Sequence, residues 1–215
     1  MKYITVKQEA SDEFEEKKSL FIGYIKRIEK EEEARAFIQH IKSKHKDATH
    51  NVYAYVVGKN LEIQRYSDDG EPQGTAGIPI LEVIKKNGVT DCVIVVTRYF
   101  GGTLLGAGGL IRAYTKGASL AIKKAGIVEK VRGILLKFIL EYEALGKIQF
   151  ICNENEWHIE EASYTDKVEI TIYCEIEKAE IIETEIMDAT SGKATIIKGE
   201  KDIFFKQDNR LFKNI

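Results

Sequence analysis

Cysteine is scarce in this sequence. The three cysteines, Cys92, Cys152 and Cys174, are odd in number, lie far apart and stand among apolar residues. A disulfide framework needs paired cysteines and a zinc site needs closely spaced ligands, so neither fits this spacing. We therefore expect three reduced thiols in the core and no metal.

Long apolar runs are missing as well. No segment reaches the roughly 20 apolar residues that cross a membrane, and no apolar signal-peptide region follows Met1 and Lys2. Internal repeats and low-complexity segments are also missing. These absences predict a cytoplasmic protein with no membrane partner, and they leave its oligomeric state open.

Acidic residues are missing from one long segment. Between Cys92 and Val128 there is no Asp or Glu, whereas five cations lie there: Arg98, Arg112, Lys116, Lys123 and Lys124. The charge is also divided along the chain, since residues 1–130 have a net charge of +4 and residues 131–215 a net charge of −6. This asymmetry indicates two units, one of which meets an anionic partner.

The acid-free segment also holds the densest group of glycines. An apolar run, Cys92–Val96, precedes five glycines between residues 101 and 109, and apolar residues at helical spacing follow to Ile122. This order predicts a buried strand, a glycine-rich loop and a helix, whose backbone N–H groups are suited to bind an anion. The candidate contacts to an anion, a nucleic acid or a partner are Arg98, Tyr99, Gly101, Gly102, Gly106, Gly108, Gly109, Arg112 and Lys116.

The predicted helix carries basic residues opposite its packed face. The face expected to pack on a sheet consists of Leu110, Ala113, Tyr114, Gly117, Ala118 and Ala121. Arg112, Lys116, Ser119 and Lys123 lie on the other face. Cations near a helix N-terminus are electrostatically unfavourable, so Arg112 and Lys116 suggest that an anion offsets their effect. The alternatives are a solvated helix face and glycines that only allow tight packing.

A second glycine-containing loop lies earlier in the chain. Its candidate residues, together with a nearby histidine, are His50, Asp68, Asp69, Gly70, Glu71, Thr75 and Gly77. Asp, Gly and Pro are typical of turns, and Thr75 is suited to cap the following helix. The three carboxylates are alternatively suited to a divalent cation, but they do not complete a coordination shell, so we predict no metal. We expect His50 to form a structural hydrogen bond.

The remaining pattern predicts two domains of the α+β class, with a boundary near residue 130. In residues 1–130 we expect strands over residues 1–7, 19–28, 49–57 and 61–67, a polar link over residues 9–18, and helices over residues 31–45 and 78–88. His40 and His45 are expected on or near the solvated face of the first helix. Residues 131–215 follow the ferredoxin-like order of strand, helix, strand, strand, helix, strand. There we interpret Trp157 and Tyr164 as core or interface aromatics rather than base-stacking residues.

Several motifs resemble those of the IMPACT/YigZ family in its bacterial two-domain form. They are Thr49-His50-Asn51 with Ala54-Tyr55, Arg65–Pro72 with Gly74–Gly77, Thr97–Gly102, and Leu105–Tyr114. Gln73 stands where a small serine is common in the family, and Thr103-Leu104 stands where Ile-Lys is frequent. The resemblance covers both halves of the chain, and its specific motifs lie within residues 49–114.

The resemblance implies both a fold and a biological setting. Residues 1–130 are implied to form an α/β sandwich similar to the second domain of a small-subunit ribosomal protein. Residues 131–215 are implied to form a ferredoxin-like domain similar to late domains of elongation factor G. Both parallels point toward translation. Eukaryotic members are linked to translational control under amino-acid stress, through binding a large activator of an initiation-factor kinase.

We therefore predict a non-enzymatic binding protein, without a cofactor, that regulates translation or a stress response. Its loop from Arg98 to Arg112 would contact RNA, the ribosome or a translation-associated protein. The alternative is a nucleotide- or phosphate-handling enzyme that uses the glycine-rich loop and a magnesium ion on the acidic loop. The sequence lacks the phosphate-loop motif, a complete Gly-x-Gly-x-x-Gly, the Gly-x-Ser-x-Gly elbow and His-Glu-x-x-His.

Overall fold

The computed structural model describes residues 2–213. They divide into two compact units, residues 3–128 and residues 129–213 with Lys2. The boundary predicted from the sequence lies near residue 130. Sheets and helices occur in both units, which confirms the α+β class. No helix within the described residues is long and apolar enough to span a membrane.

The first unit contains a sheet with helices on both faces. Its elements are β1 (Lys2–Val6), β2 (Ala10–Glu16), β3 (Ser19–Arg27), α1 (Glu31–Lys44), β4 (His50–Val57), β5 (Ile63–Ser67), α2 (Gly77–Lys86), β6 (Cys92–Tyr99) and α3 (Ala107–Ala125). Five strands form an antiparallel sheet in the order β2-β3-β6-β4-β5. Helix α1 packs on one face, and α2 and α3 pack on the other.

Residues 10–16 form strand β2, so the prediction of a polar link there is wrong. A tight turn at Lys17 and Lys18, with φ of 47° and 65°, joins β2 to β3. The Phe14 ring stacks on that of Phe21 at a centroid distance of 5.3 Å. An edge strand tolerates many charged side chains because much of it faces water, so its acidic sequence does not show the apolar alternation of a buried strand.

Helix α3 lies against β3 at two glycines. A Cβ atom at Gly23 would collide with the backbone carbonyl of Gly117, so this close approach requires glycine. The predicted packed face of α3 is confirmed, since all its members are buried: Leu110, Ala113, Tyr114, Gly117, Ala118 and Ala121. Arg112, Lys116, Ser119 and Lys123 are exposed, as predicted.

The second unit has the strand order of a ferredoxin-like fold. Its elements are β7 (Ile127–Leu140), α4 (Tyr142–Glu154), β8 (Ile159–Tyr164), β9 (Val168–Glu175), α5 (Ala179–Ala189), β10 (Thr195–Gln207) and β11 (Arg210–Phe212). The strands are arranged as β11-β10-β7-β9-β8, in which β11 extends the predicted sheet through a hairpin with β10. Trp157 packs against the core of this unit, whereas Tyr164 is exposed.

The three cysteines confirm the prediction of reduced core thiols. Cys92 lies in the core of the first unit, and Cys152 and Cys174 lie in the core of the second. All three are buried and free.

Candidate functional site

A buried polar cluster, which we define as His50, Glu71, Arg98 and Tyr114, joins the two glycine-containing loops. Arg98 lies near the end of β6, Tyr114 lies on α3, and Glu71 lies in the loop before α2. Arg98 Nη1 and the Tyr114 hydroxyl both donate to Glu71 Oε1, each at 2.7 Å. Glu71 and Arg98 are only 8% and 5% exposed. Because buried charges require partners, this ion pair ties the loop to the sheet and helix.

The Arg98 side chain is held on several sides. Its guanidinium lies 5.4 Å from the ring centres of Phe21 and Phe100, and its Nη2 lies 3.5 Å from Ser19 Oγ. Its Nε is buried and has no hydrogen-bond partner in the part of the chain that the structure describes. Arg98 is therefore a buried residue beside the loop rather than an exposed cation.

Tyr114 remains a hydrogen-bond donor within the cluster. Its burial, followed by the charge of Glu71 and the hydrogen bond to it, raises the pKa of its hydroxyl far above the ordinary range. The protonated hydroxyl therefore persists at every physiological pH. Tyr114 lies on α3 and is fully buried, so it links this helix to Glu71.

His50 lies between the Asp69 carbonyl and the Glu71 carboxylate. Its Nδ1 lies 2.8 Å from the Asp69 carbonyl oxygen, which can only accept, so Nδ1 carries the proton. The prediction of a structural hydrogen bond for His50 is thereby confirmed. Its Nε2 lies 3.8 Å from Glu71 Oε2, so the two side chains form an ion pair when the ring is protonated.

Asp68 caps helix α2. Its carboxylate accepts hydrogen bonds of 2.9, 3.1 and 2.8 Å from the backbone N–H groups of Gly74, Ala76 and Gly77. The prediction that Thr75 caps this helix is wrong, because its hydroxyl donates to the Pro72 carbonyl at 2.6 Å. The loop folds back far enough to bring Asp68 to the helix start, so the nearer Thr75 is not needed there.

The other residues of the acidic loop have separate partners. Asp69 binds the Lys42 ammonium and accepts from the Asn51 N–H at 2.7 Å. Asp69 and Gly70 have φ of 47° and 91°, which turn the chain sharply. The three carboxylates of this loop thus bind different partners: Asp68 binds backbone N–H groups, Asp69 binds Lys42 and Asn51, and Glu71 binds Arg98 and Tyr114. Within residues 2–213, no group of three His, Cys, Asp or Glu side chains is placed to hold a metal.

The glycine-rich loop between β6 and α3 is shaped by close backbone contacts. Gly101 donates its N–H to Ser19 Oγ at 3.1 Å, and a Cβ on it would collide with the Lys18 carbonyl. Gly106, the residue before α3, has φ of 72°, which favours glycine. Gly102 and Gly108 are exposed, the latter in the first turn of α3.

His45 is buried, so its predicted placement at the solvated face is wrong, whereas His40 is exposed as expected. The hydroxyls of Tyr24 and Tyr99 lie 2.7 and 2.8 Å from its two ring nitrogens. His45 follows the last residue of α1, where the chain leaves the helical periodicity on which the prediction relied. The candidate residue Tyr99 therefore supports the fold through His45.

Two adjoining grooves open in the first unit and share Leu105. The apolar groove, of about 400 Å³, has His50, Glu71 and Arg98 among its lining residues. Its apolar side chains are Pro72, Phe100, Leu104, Leu105, Ala107 and Leu110. The basic groove, of about 250 Å³, is lined by Phe14, Glu16, Lys17, Leu105, Gly109, Arg112, Ala113 and Lys116.

Sequence reasoning missed several residues of this region. Lys17 joins Arg112 and Lys116 only because β2 and β3 form a hairpin, and Phe100 and Leu104 stand out only by their exposure, 45% and 82%. The Lys17-Lys18 pair between two strand patterns was the available signal for the hairpin turn.

Comparisons with known proteins place both units in one family. Residues 17–122 match the Impact N-terminal domain, and residues 138–193 match DUF1949, a domain of unknown function. The chain is 43% identical over 209 residues to IMPACT family member YvyE of Bacillus subtilis, which covers 97% of this chain and 96% of that protein. It is 32% identical over 187 residues to YigZ of Escherichia coli, covering 86% and 92%. The chain therefore belongs to the IMPACT family.

One further relative matches over only part of its length, and one solved structure matches in its fold. The Protein IMPACT homolog of Dictyostelium discoideum is 41% identical over 95 residues, which span 42% of this chain and 27% of that protein. The crystal structure of a hypothetical protein matches 94% of this chain and 98% of its own, with a TM-score of 0.59 and 29% identity. This match supports the two-domain α+β arrangement.

Proposed function

We propose that this chain is a cytoplasmic, non-enzymatic protein that regulates translation by binding RNA of the ribosome through its basic groove. The observation that carries the proposal is the set of three exposed cations in that groove: Lys17, Arg112 and Lys116. Arg and Lys side chains and free backbone N–H groups are the usual contacts to phosphate. Membership in the IMPACT family agrees with a regulatory role.

The electrostatics of the groove favour an anion. The structure gives none of the three cations an ion pair within residues 2–213, and Glu16 is the one carboxylate among the lining residues. Arg112 and Lys116 lie one turn apart on the exposed side of α3, as the sixth and tenth of its 19 residues. A phosphate in the groove would pair with these cations, so the site gains from the ligand's charge.

The test measures the salt dependence of binding to a ribosomal RNA fragment. In the variant Arg112→Gln/Lys116→Gln, we expect weaker binding and a smaller slope of log affinity against log salt, by about 0.7 for each lost phosphate contact. The matched control is Lys123→Gln/Lys124→Gln, which removes the same charge from the exposed far end of the same helix. Arg98 is left intact because its loss would also break the buried ion pair.

Two results would contradict the proposal. One is no measurable affinity for ribosomal RNA at low salt, and the other is an equal loss of affinity in the test and control variants. If the chain instead binds an acidic protein of the translation apparatus with the same dependence on Arg112 and Lys116, the groove is a protein-binding site and the RNA proposal is wrong.

A further inference from the structure

We propose that the apolar groove binds one unpaired nucleobase of a single-stranded RNA, while the neighbouring phosphates lie in the basic groove. This inference rests on the proposed function and names the part of the RNA that the protein selects. Its basis is the adjacency of an apolar groove with polar lining atoms to a groove lined by three cations.

Phe100 offers a stacking surface for the base. Its ring is 45% exposed and lines the apolar groove, and the Arg98 guanidinium lies 5.4 Å from its centre. Unpaired bases in RNA complexes commonly stack on aromatic side chains. Because Arg98 is buried and ion-paired, it holds the ring in place and leaves the exposed part of Phe100 available to a base.

The polar atoms of the groove match the edge of a base that carries an amine. The Glu71 carboxylate, whose Oε2 lies 3.8 Å from His50 Nε2, is an acceptor among the lining residues, and an exocyclic amine has two N–H donors. Adenine, cytosine and guanine have exocyclic amines and uracil has none, so the groove is expected to disfavour uracil.

The two grooves lie next to each other, so we expect a single strand to reach both. Leu105 lines both grooves, and Arg112 and Lys116 line the basic groove. Leu104 also lines the apolar groove and is 82% exposed. A base in the groove covers this side chain while its flanking phosphates reach the cations.

The test compares fluorescently labelled RNA decamers by anisotropy. We expect oligoadenylate to bind the full chain at least ten-fold more tightly than oligouridylate or a duplex of the same length. Phe100→Ala is expected to weaken oligoadenylate binding about ten-fold without changing the salt slope, since stacking involves no phosphate. Tyr66→Ala is the matched control, because Tyr66 is an equally exposed aromatic of the same unit that lines neither groove.

A second variant separates stacking from folding. Phe100→Leu keeps an apolar side chain and removes the ring, so it is expected to weaken binding like Phe100→Ala while retaining the circular dichroism spectrum of the wild type. One outcome is that RNA binds with the salt dependence described above, but with an affinity that changes neither with base identity or pairing nor in the Phe100 variants. In that case this inference is wrong and the proposed function stands. If no RNA binds at low salt, the proposed function fails, and this inference fails with it.

Discussion

Replacing Glu71 by glutamine tests whether the buried polar cluster holds the second loop against α3. The amide keeps the shape of the carboxylate and an oxygen that accepts hydrogen bonds from Arg98 and Tyr114, but it removes the charge that compensates Arg98. Breaking a buried ion pair in this way costs about 3–5 kcal/mol. With a urea dependence of about 2 kcal/mol per molar, the unfolding midpoint should decrease by about 1.5–2.5 M.

The assay is urea unfolding followed by far-UV circular dichroism, with hydrogen exchange of the α3 amides as a local measurement. Glu82→Gln is the control, because Glu82 pairs with Lys85 on the surface of α2 and its loss should leave the midpoint nearly unchanged. The double variant Glu71→Gln/Arg98→Met removes both charges and should recover most of the lost stability.

Two results would refute this reasoning. The first is a Glu71→Gln midpoint that equals that of Glu82→Gln, which would mean that the charge of Glu71 does not stabilise the fold. The second is a double variant less stable than Glu71→Gln alone, which would mean that Arg98 contributes through its packing on Phe21 and Phe100 rather than through the ion pair.

Three further predictions concern the fold around the site. Gly101→Ala should lower the thermal midpoint because its Cβ meets the Lys18 carbonyl, whereas Gly108→Ala, which has room for a Cβ, should not. Burial lowers the pKa of His45 from its ordinary 6.5, so the unfolded chain binds the proton first and stability falls as the pH drops below 6.5. Urea unfolding of His45→Gln between pH 7 and pH 5 should therefore show a shallower loss than wild type. Burial raises the pKa of Cys152 to about 11 and of Cys174 to about 12, so thiol reagents at pH 8 should label both much faster in urea than in the folded protein.

Local periodicity predicted the buried elements well. The apolar run ending at Val96 identifies a buried strand because consecutive residues are buried. The small residues of α3 identify a helix because the buried positions recur every three or four residues. β2 was missed because it is an edge strand whose apolar contact to β3 comes from Phe14, and β11 because it has only three residues. In both, pairing with a neighbouring strand outweighs the local composition.

The candidate site was only partly accessible to such reasoning. The glycine-rich loop and the cations of α3 follow from the local sequence, but the pairing of Arg98 with Glu71 spans 27 residues and leaves no local pattern. The basic residues therefore looked alike in the sequence, although Arg98 is buried and Arg112 is exposed. The grooves likewise depend on separate segments, three for the apolar groove and two for the basic groove, that meet only in the folded chain.

The most direct test of the central claim is ultraviolet crosslinking of the tagged chain to RNA in its own cells. We predict that ribosomal RNA is recovered with the wild type and with Lys123→Gln/Lys124→Gln, and that recovery falls strongly for Arg112→Gln/Lys116→Gln. Equal recovery from all three proteins, or no ribosomal RNA with the wild type, would contradict the claim that the basic groove binds RNA of the ribosome.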